Sequence, residues 1–407
     1  MQEINIKKTY KNEINFNWGL EKAAAIPCEI KVPYEIKISK STEDFRIPYD
    51  VLKYFIYKSL CAVGVRKEFA ALAAQKLADN DKWGISTHGI NRLYEIYIKK
   101  IKQGIINPNA IPTVEFDKSQ GYVNANNGLG FVAAHCASSL AIALADSFGT
   151  SFVSAYNSNH FGTCRNWITM MAQRGYLAEC GTNARPSVAP TFGAEPILGT
   201  NPYATAVEIS PNMLYSADCA TSTKHNGNVE KYVKKGIKLP KGWVIEATTG
   251  ESITNAADAL RAIRSGKAAY TTVGGVGEEQ GGHKGYCFSA TVEMLCSAMS
   301  LGPASIGASG RDENGNPVPH HLSHFFRCTK IETNFRKKSQ SQEKAKELLE
   351  NFTNSKKAAG AERIYYPGEK EYLAELDSLK NGVSIDKAMI KTIKQVQDEF
   401  GLDILKV

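Results

Sequence analysis

The stretch TNARPSVAPTFGAEPILGTNP, residues 182–202, fills the middle of the chain with glycines, prolines and polar residues. This composition is typical of loops that connect regular elements. Short β-rich runs lie before and after it, at 151–156, 204–209 and 213–217. Helical patterns alternate with them at 131–147 and 163–174. The middle of the chain is therefore predicted to be an α/β region.

Further out on both sides the patterns are mainly helical. Helices are predicted at 51–65, 67–79, 93–103, 256–264, 286–301, 342–352, 371–380 and 385–400, and a strand at 324–331. We divide the chain into an N-terminal extension (1–45), a helical part (46–115), an α/β domain (116–360) and a C-terminal helical segment (361–407). The last segment is expected to pack on the first helices.

The composition is that of an ordinary globular protein. Of 407 residues, 43% are hydrophobic and 22% are charged, which excludes collagen, coiled-coil and disordered chains. Lys and Arg number 49 against 41 Asp and Glu. The resulting net charge of +8 suits small anions but is too diffuse to predict nucleic-acid binding.

Nine cysteines are scattered along the chain without a CxxC pair. Such a set predicts reduced, mostly buried thiols and a cytoplasmic location, because disulfide frameworks and zinc ribbons need paired cysteines. The first 22 residues lack the apolar core of a signal peptide. The longest apolar run, 130–144, contains His135 and is closed by Asp146, so it predicts a buried helix and no membrane span.

Several common nucleotide and metal motifs are missing. The stretch 274–282 (GGVGEEQGG) places Gln280 where a dinucleotide fingerprint needs its third glycine, and neither GxxxxGK[ST] nor HExxH occurs. A standard Rossmann fold and a P-loop NTPase are therefore not predicted. His320, His321 and His324 have no carboxylate or cysteine at a recognised ligand spacing. We interpret them as a surface cluster in a loop and predict no metal site.

The segment 84–92 (GISTHGINR) concentrates reactive side chains between glycines. If a helix begins near Gly89, His88 and Arg92 share one of its faces, because they are four residues apart. The guanidinium could then hold a carboxylate while the histidine moves a proton. In the alternative interpretation, Thr87 caps the helix and His88 is structural.

A second histidine, His160, follows a predicted strand in the segment 157–162 (NSNHFG). The carboxyl ends of strands are common ligand sites in α/β proteins, so His160 is a candidate acid or base. A lone histidine in such a turn is, however, often structural. Four other loops are rich in small residues and include Arg185 and Lys284, whose charge suits a phosphate or carboxylate; they are 182–186, 199–202, 218–222 and 281–286.

Taken in order, these and neighbouring motifs resemble the malate/L-lactate dehydrogenase family, and the resemblance covers most of the chain. The motifs are STHGINR (86–92), NSNHFG (157–162), the 182–202 stretch, DCATS (218–222), KLPKGW (238–243), GGHKGY (281–286), HFF (324–326) and ERIYYPGEK (362–370). Family members transfer hydride between NAD(P) and a 2-hydroxy, 2-oxo or imino acid. They include malate, sulfolactate, ureidoglycolate and lactate dehydrogenases, and reductases of diketogulonate and cyclic imino acids.

The resemblance implies an α/β fold with a non-Rossmann NAD(P)-binding domain built on a mixed sheet. A smaller helical domain is formed by the N- and C-terminal segments. It also implies a homodimer, NAD as cofactor with NADP as the alternative, and a small 2-oxo or 2-hydroxy acid as substrate. The KLPKGW and ERIYYPGEK runs resemble the malate and sulfolactate branch, so malate is the first expectation. Ureidoglycolate, sulfolactate or lactate is the alternative within the class, and a dinucleotide-binding protein without catalysis is the alternative outside it.

The same resemblance implies roles for individual residues. The catalytic set is His88, His160, Thr87, Arg92 and Asp218, in which either histidine is the proton donor and Asp218 orients one of them. Arg92 and Arg185 are the substrate-binding residues. The implied dinucleotide contacts are Asn183, Leu214, Tyr215, Ser216, Ala217, Asp218, Cys219, Ala220, His283, Lys284, Gly368, Glu369 and Lys370.

Two positions depart from the family pattern. Gly227 is followed by Asn228 where a Gly-Lys pair is usual, and the nearest lysine, Lys224, lies on the other side of the glycine. Asn126 and Asn127 stand where acidic residues are common.

Overall fold

The computed structural model describes residues 6–8, 18–20, 25–38 and 45–406. Much of the predicted extension, and with it most of the stretch on which the absence of a signal peptide was predicted, lies outside these residues. The strands are β1 Ile6–Lys8, β2 Tyr34–Glu35, β3 Lys37–Ile38, β4 Phe45–Ile47, β5 Thr113–Asp117, β6 Gln120–Asn124, β7 Thr150–Ser158, β8 Tyr176–Thr182, β9 Tyr203–Ser210, β10 Met213–Cys219, β11 Val244–Glu246, β12 Ala268–Tyr270, β13 Leu322–Lys330, β14 Val383–Ile385 and β15 Leu405–Lys406.

A mixed sheet is the central element of the fold. Within the described residues it has eight strands, in the order β1-β5-β6-β7-β13-β8-β9-β10. The pairs β1–β5 and β6–β7 are parallel, and every other pair in this sheet is antiparallel. Strand β13 comes late in the chain but lies between β7 and β8. This places the loops that follow β7 and β8 near the start of β13.

Helices cover the sheet and its ends. The α-helices are α1 Tyr49–Ala62, α2 Lys67–Lys82, α3 Lys99–Lys102, α4 Gly130–Phe148, α5 Arg165–Ala172, α6 Asn226–Lys235, α7 Ala256–Arg264, α8 Gly282–Glu293, α9 Lys338–Thr353, α10 Glu369–Asn381 and α11 Lys387–Phe400. A 3₁₀ turn (Ile90–Arg92) and a π-helical turn (Leu93–Ile98) lead into α3, and a second π turn (Met294–Ala298) extends α8.

The longest apolar helix, α4, is a core helix. By length and composition it could cross a membrane, but 67% of its most apolar stretch is buried inside the protein. It shares one continuous core with α1, α2, α5 and the sheet. The extension also contacts it, because His135 Nε2 donates to the carbonyl of Trp18 at 2.7 Å. A second, smaller core joins α6 and α7 to β11 and β12.

Segments from the two ends of the chain lie together. Strand β4 pairs with β14, and β2 pairs with β15. Helix α10 contacts the end of α2, where Ser378 Oγ donates to the carbonyl of Lys82 at 2.9 Å. Arg46 also forms a 2.6 Å ion pair with Asp377. The division of the chain at residues 45, 115 and 360 stays a prediction.

Most predicted elements are confirmed within a few residues, and the differences have physical causes. The helix predicted at 93–103 is helical but begins with the 3₁₀ and π turns. The helix predicted at 286–301 begins four residues earlier, at Gly282, because glycines gave no apolar signal there. Eleven of the described strands and one helix were not predicted: β1, β2, β3, β4, β5, β6, β8, β11, β12, β14, β15 and α6. Five of the nine cysteines are buried, and none forms a disulfide among the described residues.

Candidate functional site

A buried carboxylate, that of Asp81, fixes the position of segment 84–92. Asp81 Oδ2 accepts a hydrogen bond from the backbone N–H of Ile90 at 2.7 Å, and Asp81 Oδ1 is buried without a partner. Burial raises the pKa of Asp81 well above its usual value. Gly89 is required here, since a Cβ at this position would lie 1.8 Å from Asp81 Oδ1. The close contact holds the adjacent His88 in place.

Thr87 contacts both His88 and Arg92 in this segment. His88 Nδ1 lies 3.0 Å from Thr87 Oγ1, and Arg92 Nε donates to the Thr87 carbonyl at 2.5 Å. The N-cap position of the 3₁₀ turn belongs to Gly89, so the interpretation of Thr87 as a helix cap is wrong. The side chain of Thr87 instead orients the imidazole of His88.

His160 lies opposite, at the end of β7. Its Nδ1 is 2.5 Å from Tyr97 Oη and 3.3 Å from the backbone nitrogen of Gly162. Because the Gly162 N–H can only donate, Nδ1 is an acceptor and the neutral ring carries its proton on Nε2. Gly130, the first residue of α4, approaches the same loop so closely that a Cβ would lie 2.4 Å from the carbonyl of His160.

The two imidazoles stack on each other, with ring centroids 5.6 Å apart and planes 17° from parallel. Burial, with smaller contributions from the charges of Arg92 and His225, lowers the pKa of His88 to about 3. Burial, followed by the charges of His88 and Arg92, also lowers the pKa of His160 well below its usual value. Both rings are therefore neutral near pH 7. Both residues are half-buried.

Asp218 is hydrogen-bonded to the backbone at the start of α5. Asp218 Oδ2 accepts from the backbone N–H of Arg165 at 2.8 Å, at the first residue of α5. Burial raises the pKa of this carboxyl to about 6. The prediction that Asp218 orients a catalytic histidine finds no support in this contact. The hydrogen bond from the Arg165 N–H to Asp218 instead anchors α5 to β10.

Arg165 connects segment 84–92 to β10, the strand predicted to contact dinucleotide. Its guanidinium lies 5.0 Å from the ring centre of Trp83, which immediately precedes segment 84–92. Its Nη1 donates to Ser216 Oγ on β10. The predicted catalytic and cofactor sets are therefore joined through one buried arginine, which the sequence reading did not single out.

The predicted cofactor residues of β10 and of α10 meet. The Ser216 N–H donates to the carbonyl of Pro367 at 3.1 Å. Gly368 has φ +96°, and a Cβ there would lie 2.5 Å from Ser216 Oγ. An open depression of about 400 Å³ lies beside it, lined by Tyr365, Tyr366, Pro367, Gly368, Lys370 and Glu371. Of the predicted set, Leu214 and Ser216 on β10 thus lie against Gly368 at the start of α10.

Two of the four loops rich in small residues, 182–186 and 199–202, are held together by one carboxylate, Glu293. It accepts from Asn201 Nδ2 at 2.8 Å, from Ser297 Oγ at 2.7 Å and from both the N–H and hydroxyl of Ser305. Asn183 Nδ2 donates to Ser297 Oγ at 3.1 Å in the same network. Asn183 is itself fully buried, so it holds the loop that carries Arg185 and does not face a ligand directly.

The start of α8 provides features suited to a phosphate. Gly281 and Gly282 open the helix, and a Cβ on Gly282 would lie 2.1 Å from the carbonyl of Gly275. Lys284 is exposed in the first turn, and His283 has a buried Nδ1 without a partner. Exposed backbone N–H groups at a helix N-terminus attract anions. These residues fit the diphosphate of NAD(P), which the family resemblance implies.

The histidines near residue 320 do not form the surface cluster that we predicted. His324 is fully buried on β13, with its ring nitrogens 2.6 Å from Thr182 Oγ1 and 2.9 Å from Ser158 Oγ. His321 is exposed but lies 2.6 Å from Asn157 Oδ1. The prediction failed because β13 inserts between β7 and β8 and carries these residues against segment 157–162.

The departures from the family pattern have local explanations. Asn126 and Asn127 have φ of 51° and 57°, a left-handed conformation that asparagine tolerates well. Asn127 Oδ1 accepts from Asn159 Nδ2 at 3.0 Å, which supports the His160 loop. The ammonium of Lys224 lies 4.4 Å from the ring centre of Trp243. Beside it, His225 caps α6 and lies close enough to His88 to affect its pKa.

Comparison with known proteins identifies the family. A sequence model described as malate/L-lactate dehydrogenase matches residues 47–394. The chain is 33% identical to a malate dehydrogenase of Pyrococcus horikoshii, over 88% of this chain and 96% of that one. It is 32% identical to an L-sulfolactate dehydrogenase of Methanocaldococcus jannaschii, over 90% and 98%. Its structure resembles that of malate dehydrogenase from Entamoeba histolytica, with a TM-score of 0.82, 34% identity and coverage of 88% and 98%. The chain belongs to the malate/L-lactate dehydrogenase family.

Proposed function

We propose that this protein is an oxidoreductase that transfers hydride between NAD(H) and a 2-hydroxy/2-oxo acid, with malate and oxaloacetate as the substrate pair. Membership of a dehydrogenase family supports an oxidoreductase acting on 2-hydroxy acids. The observation that carries the proposal is the stacked pair His88–His160 beside Arg92, since it combines proton transfer with carboxylate binding.

Each of these residues has a task that its contacts fit. Arg92 would hold the carboxylate next to the reacting carbon, with its Nε bond to Thr87 limiting its movement. His160 Nε2 would exchange a proton with the 2-oxygen. Tyr97 Oη can donate to the neutral ring and accept from the protonated one, because a hydroxyl does both. When bound, the nicotinamide supplies the hydride.

The dinucleotide is proposed to bind along β10, the start of α10 and the start of α8. The largely antiparallel sheet differs from the parallel sheet of a Rossmann domain, which supports a non-Rossmann mode of binding. Asn183 would contribute indirectly. The domain division predicted above, a cytoplasmic location and a homodimer are parts of the same proposal. Light scattering at micromolar concentration tests the dimer, and a monomer would contradict it.

The first experiment follows NADH and NADPH oxidation by absorbance with oxaloacetate, pyruvate, sulfopyruvate, oxalurate or diketogulonate. Turnover of oxaloacetate with NADH supports the proposal. Turnover of another acid instead supports the ureidoglycolate, sulfolactate or lactate alternative. Cofactor binding without turnover of any acid supports the non-catalytic alternative.

The roles of the two histidines are separated by substitution. His88→Ala and His160→Ala should both retain NADH binding, measured by fluorescence, because neither lies in the proposed dinucleotide site. We expect His160→Ala to lose turnover by about a thousandfold, in the range of a removed general acid. A larger loss in His88→Ala than in His160→Ala would reverse the assignment of the proton donor.

A further inference from the structure

Three cations near the stacked histidines have no acidic partner. Among the described residues, no carboxylate oxygen lies within 4.0 Å of a side-chain nitrogen of Arg92, Lys100 or Arg185. Arg185 is exposed, but Arg92 and Lys100 are half-buried. Half-buried cations are usually paired, because leaving water without a partner is unfavourable. The side chains of Arg92, Lys100 and Arg185 are therefore available to bind anions.

Lys100 is held in a defined position by a neutral group. Its Nζ lies 2.9 Å from His320 Nε2, and His320 Nδ1 lies 3.0 Å from the carbonyl of Ala308. The carbonyl can only accept, so Nδ1 carries the proton and Nε2 accepts from the ammonium. Burial, followed by the charge of Lys100, lowers the pKa of His320 to about 4. His320 therefore orients the ammonium of Lys100 without neutralising it.

Lys100 and Arg92 both act on His160. Tyr97, three residues before Lys100, lies with its Oη 2.5 Å from His160 Nδ1. Burial, followed by the charges of His88, Arg92 and Lys100, lowers the pKa of His160. The charge of Arg92 also contributes to the lowered pKa of His88, after burial. Burial, followed by the charge of Arg185, lowers the pKa of Lys100 to about 8. Arg92 is thus associated with the His88 segment, and Lys100 with the loop that carries Arg185. A substrate reacting at His160 would have a cation available for each of two anionic groups.

We propose that Lys100, assisted by Arg185, forms a second anion subsite that binds the distal carboxylate or sulfonate of the substrate while Arg92 binds the carboxylate next to the reacting carbon. The enzyme would then select acids with two anionic groups over those with one. This inference rests on the proposed function and assigns a specificity role to Lys100, which no sequence motif indicated.

The test replaces Lys100 and measures the selectivity. In Lys100→Gln we expect kcat/KM for oxaloacetate and sulfopyruvate to fall about 30-fold through KM, as for loss of one charged hydrogen bond. The value for pyruvate should change less than about threefold. Lys99→Gln is the matched control, because Lys99 is exposed and pairs with Glu95 at 2.8 Å. Lys100→Arg keeps the charge and should keep the selectivity.

A second measurement does not depend on turnover. Malate and lactate are titrated calorimetrically into the wild-type protein and the variants, with NADH-binding fluorescence to check folding. Tighter binding of malate that disappears only in Lys100→Gln supports the subsite even if no substrate is turned over, in which case the proposed function alone fails. Equal losses for one-anion and two-anion acids, or no loss, would overturn the subsite while leaving the proposed function intact.

Discussion

At the scale of single residues, the lowered pKa values of the stacked histidines determine how activity depends on pH. Both rings lose their proton at a pH well below 6.5 in the free enzyme. Oxidation of the hydroxy acid needs the neutral ring, and reduction of the oxo acid needs the protonated one. The two directions should therefore respond differently to acid.

We predict that kcat/KM for malate oxidation stays level from about pH 7.5 to about pH 5.5, whereas kcat/KM for oxaloacetate reduction keeps rising as the pH falls. The reason is that the neutral form dominates over this whole range, while the protonated fraction grows about tenfold per pH unit. Steady-state rates in both directions, measured with saturating cofactor, check this. A plateau of the reduction rate near pH 6.5 would show an ordinary histidine pKa instead.

Tyr97 provides a second prediction at this scale. Tyr97→Phe removes the hydroxyl that contacts His160 Nδ1 but keeps the ring that packs on Phe131. We expect kcat to fall about tenfold with little change in KM, because one hydrogen bond contributes about 1.4 kcal/mol and substrate binding does not use it. Tyr94→Phe, at a tyrosine outside the pair, is the control. A change confined to KM would assign Tyr97 to substrate binding.

Sequence motifs predicted part of the site because its reactive residues are clustered along the chain. The STHGINR segment brought His88, Thr87 and Arg92 together, and the structure adds His160 to them. Tyr97, Lys100 and Glu293 could not be found this way. Tyrosine, lysine and glutamate are common on helices, and their roles depend on partners up to 220 residues away.

At the scale of elements, the contact between α10 and β10 depends on a glycine. Gly368→Ala would place a Cβ 2.5 Å from Ser216 Oγ at a φ of +96°. We expect a loss of about 1 to 3 kcal/mol in the free energy of unfolding and at least a tenfold weaker affinity for NADH, because β10 and α10 must separate. Urea unfolding and NADH fluorescence measure the two effects.

Gly236→Ala is the matched control for this prediction. Gly236 also has a left-handed conformation, with φ +64°, but a Cβ there would meet nothing within 4 Å. It should lose about 1 kcal/mol of stability from strain alone and bind NADH normally. Similar NADH affinities for the two variants would show that the α10–β10 contact has no part in binding the cofactor.

Elements with strong periodicity were predicted, and those with weak signals were not. Helix α2 is rich in buried alanine and leucine at helical spacing, so its pattern was clear. Helix α6 buries only Val229 among its ten residues, so almost no apolar stripe marks it. Strand β8 carries a glycine, Gly181, that lies against Phe325, and this lowers its β signal. Tertiary contacts determine both elements.

At the scale of the whole molecule, buried histidines should make the fold sensitive to acid. Burial is the main cause that lowers the pKa of His88, His135, His160, His320 and His324 below 6.5. The unfolded chain takes up protons below pH 6.5 that the folded chain does not, so stability falls as the pH falls. Asp81 and Asp218, whose pKa values are raised, act in the opposite direction but are fewer.

We therefore predict that the free energy of unfolding, measured in urea, decreases between about pH 6.5 and about pH 4.5. His135→Gln is the informative variant, because glutamine can still donate to the Trp18 carbonyl but does not titrate. His135→Gln should reduce the slope of the free energy of unfolding against pH by roughly 1.4 kcal/mol per pH unit. A free energy that rises over this interval would mean that the two carboxyls outweigh the histidines.

The π turn at Leu93–Ile98 determines where this segment can lose one residue. In a π turn the backbone hydrogen bonds join residues five apart, whereas in an α-helix they join residues four apart. The turn at Leu93–Ile98 is therefore equivalent to an α-helical turn with one inserted residue. Loss of one codon at the exposed Glu95 would convert it to an α-turn and keep Arg92 and Tyr97 on one face. The same deletion between Tyr97 and Lys100 would rotate Lys100 by about 100° away from His320. Reading-frame-preserving deletions should therefore be tolerated before Tyr97 and selected against after it.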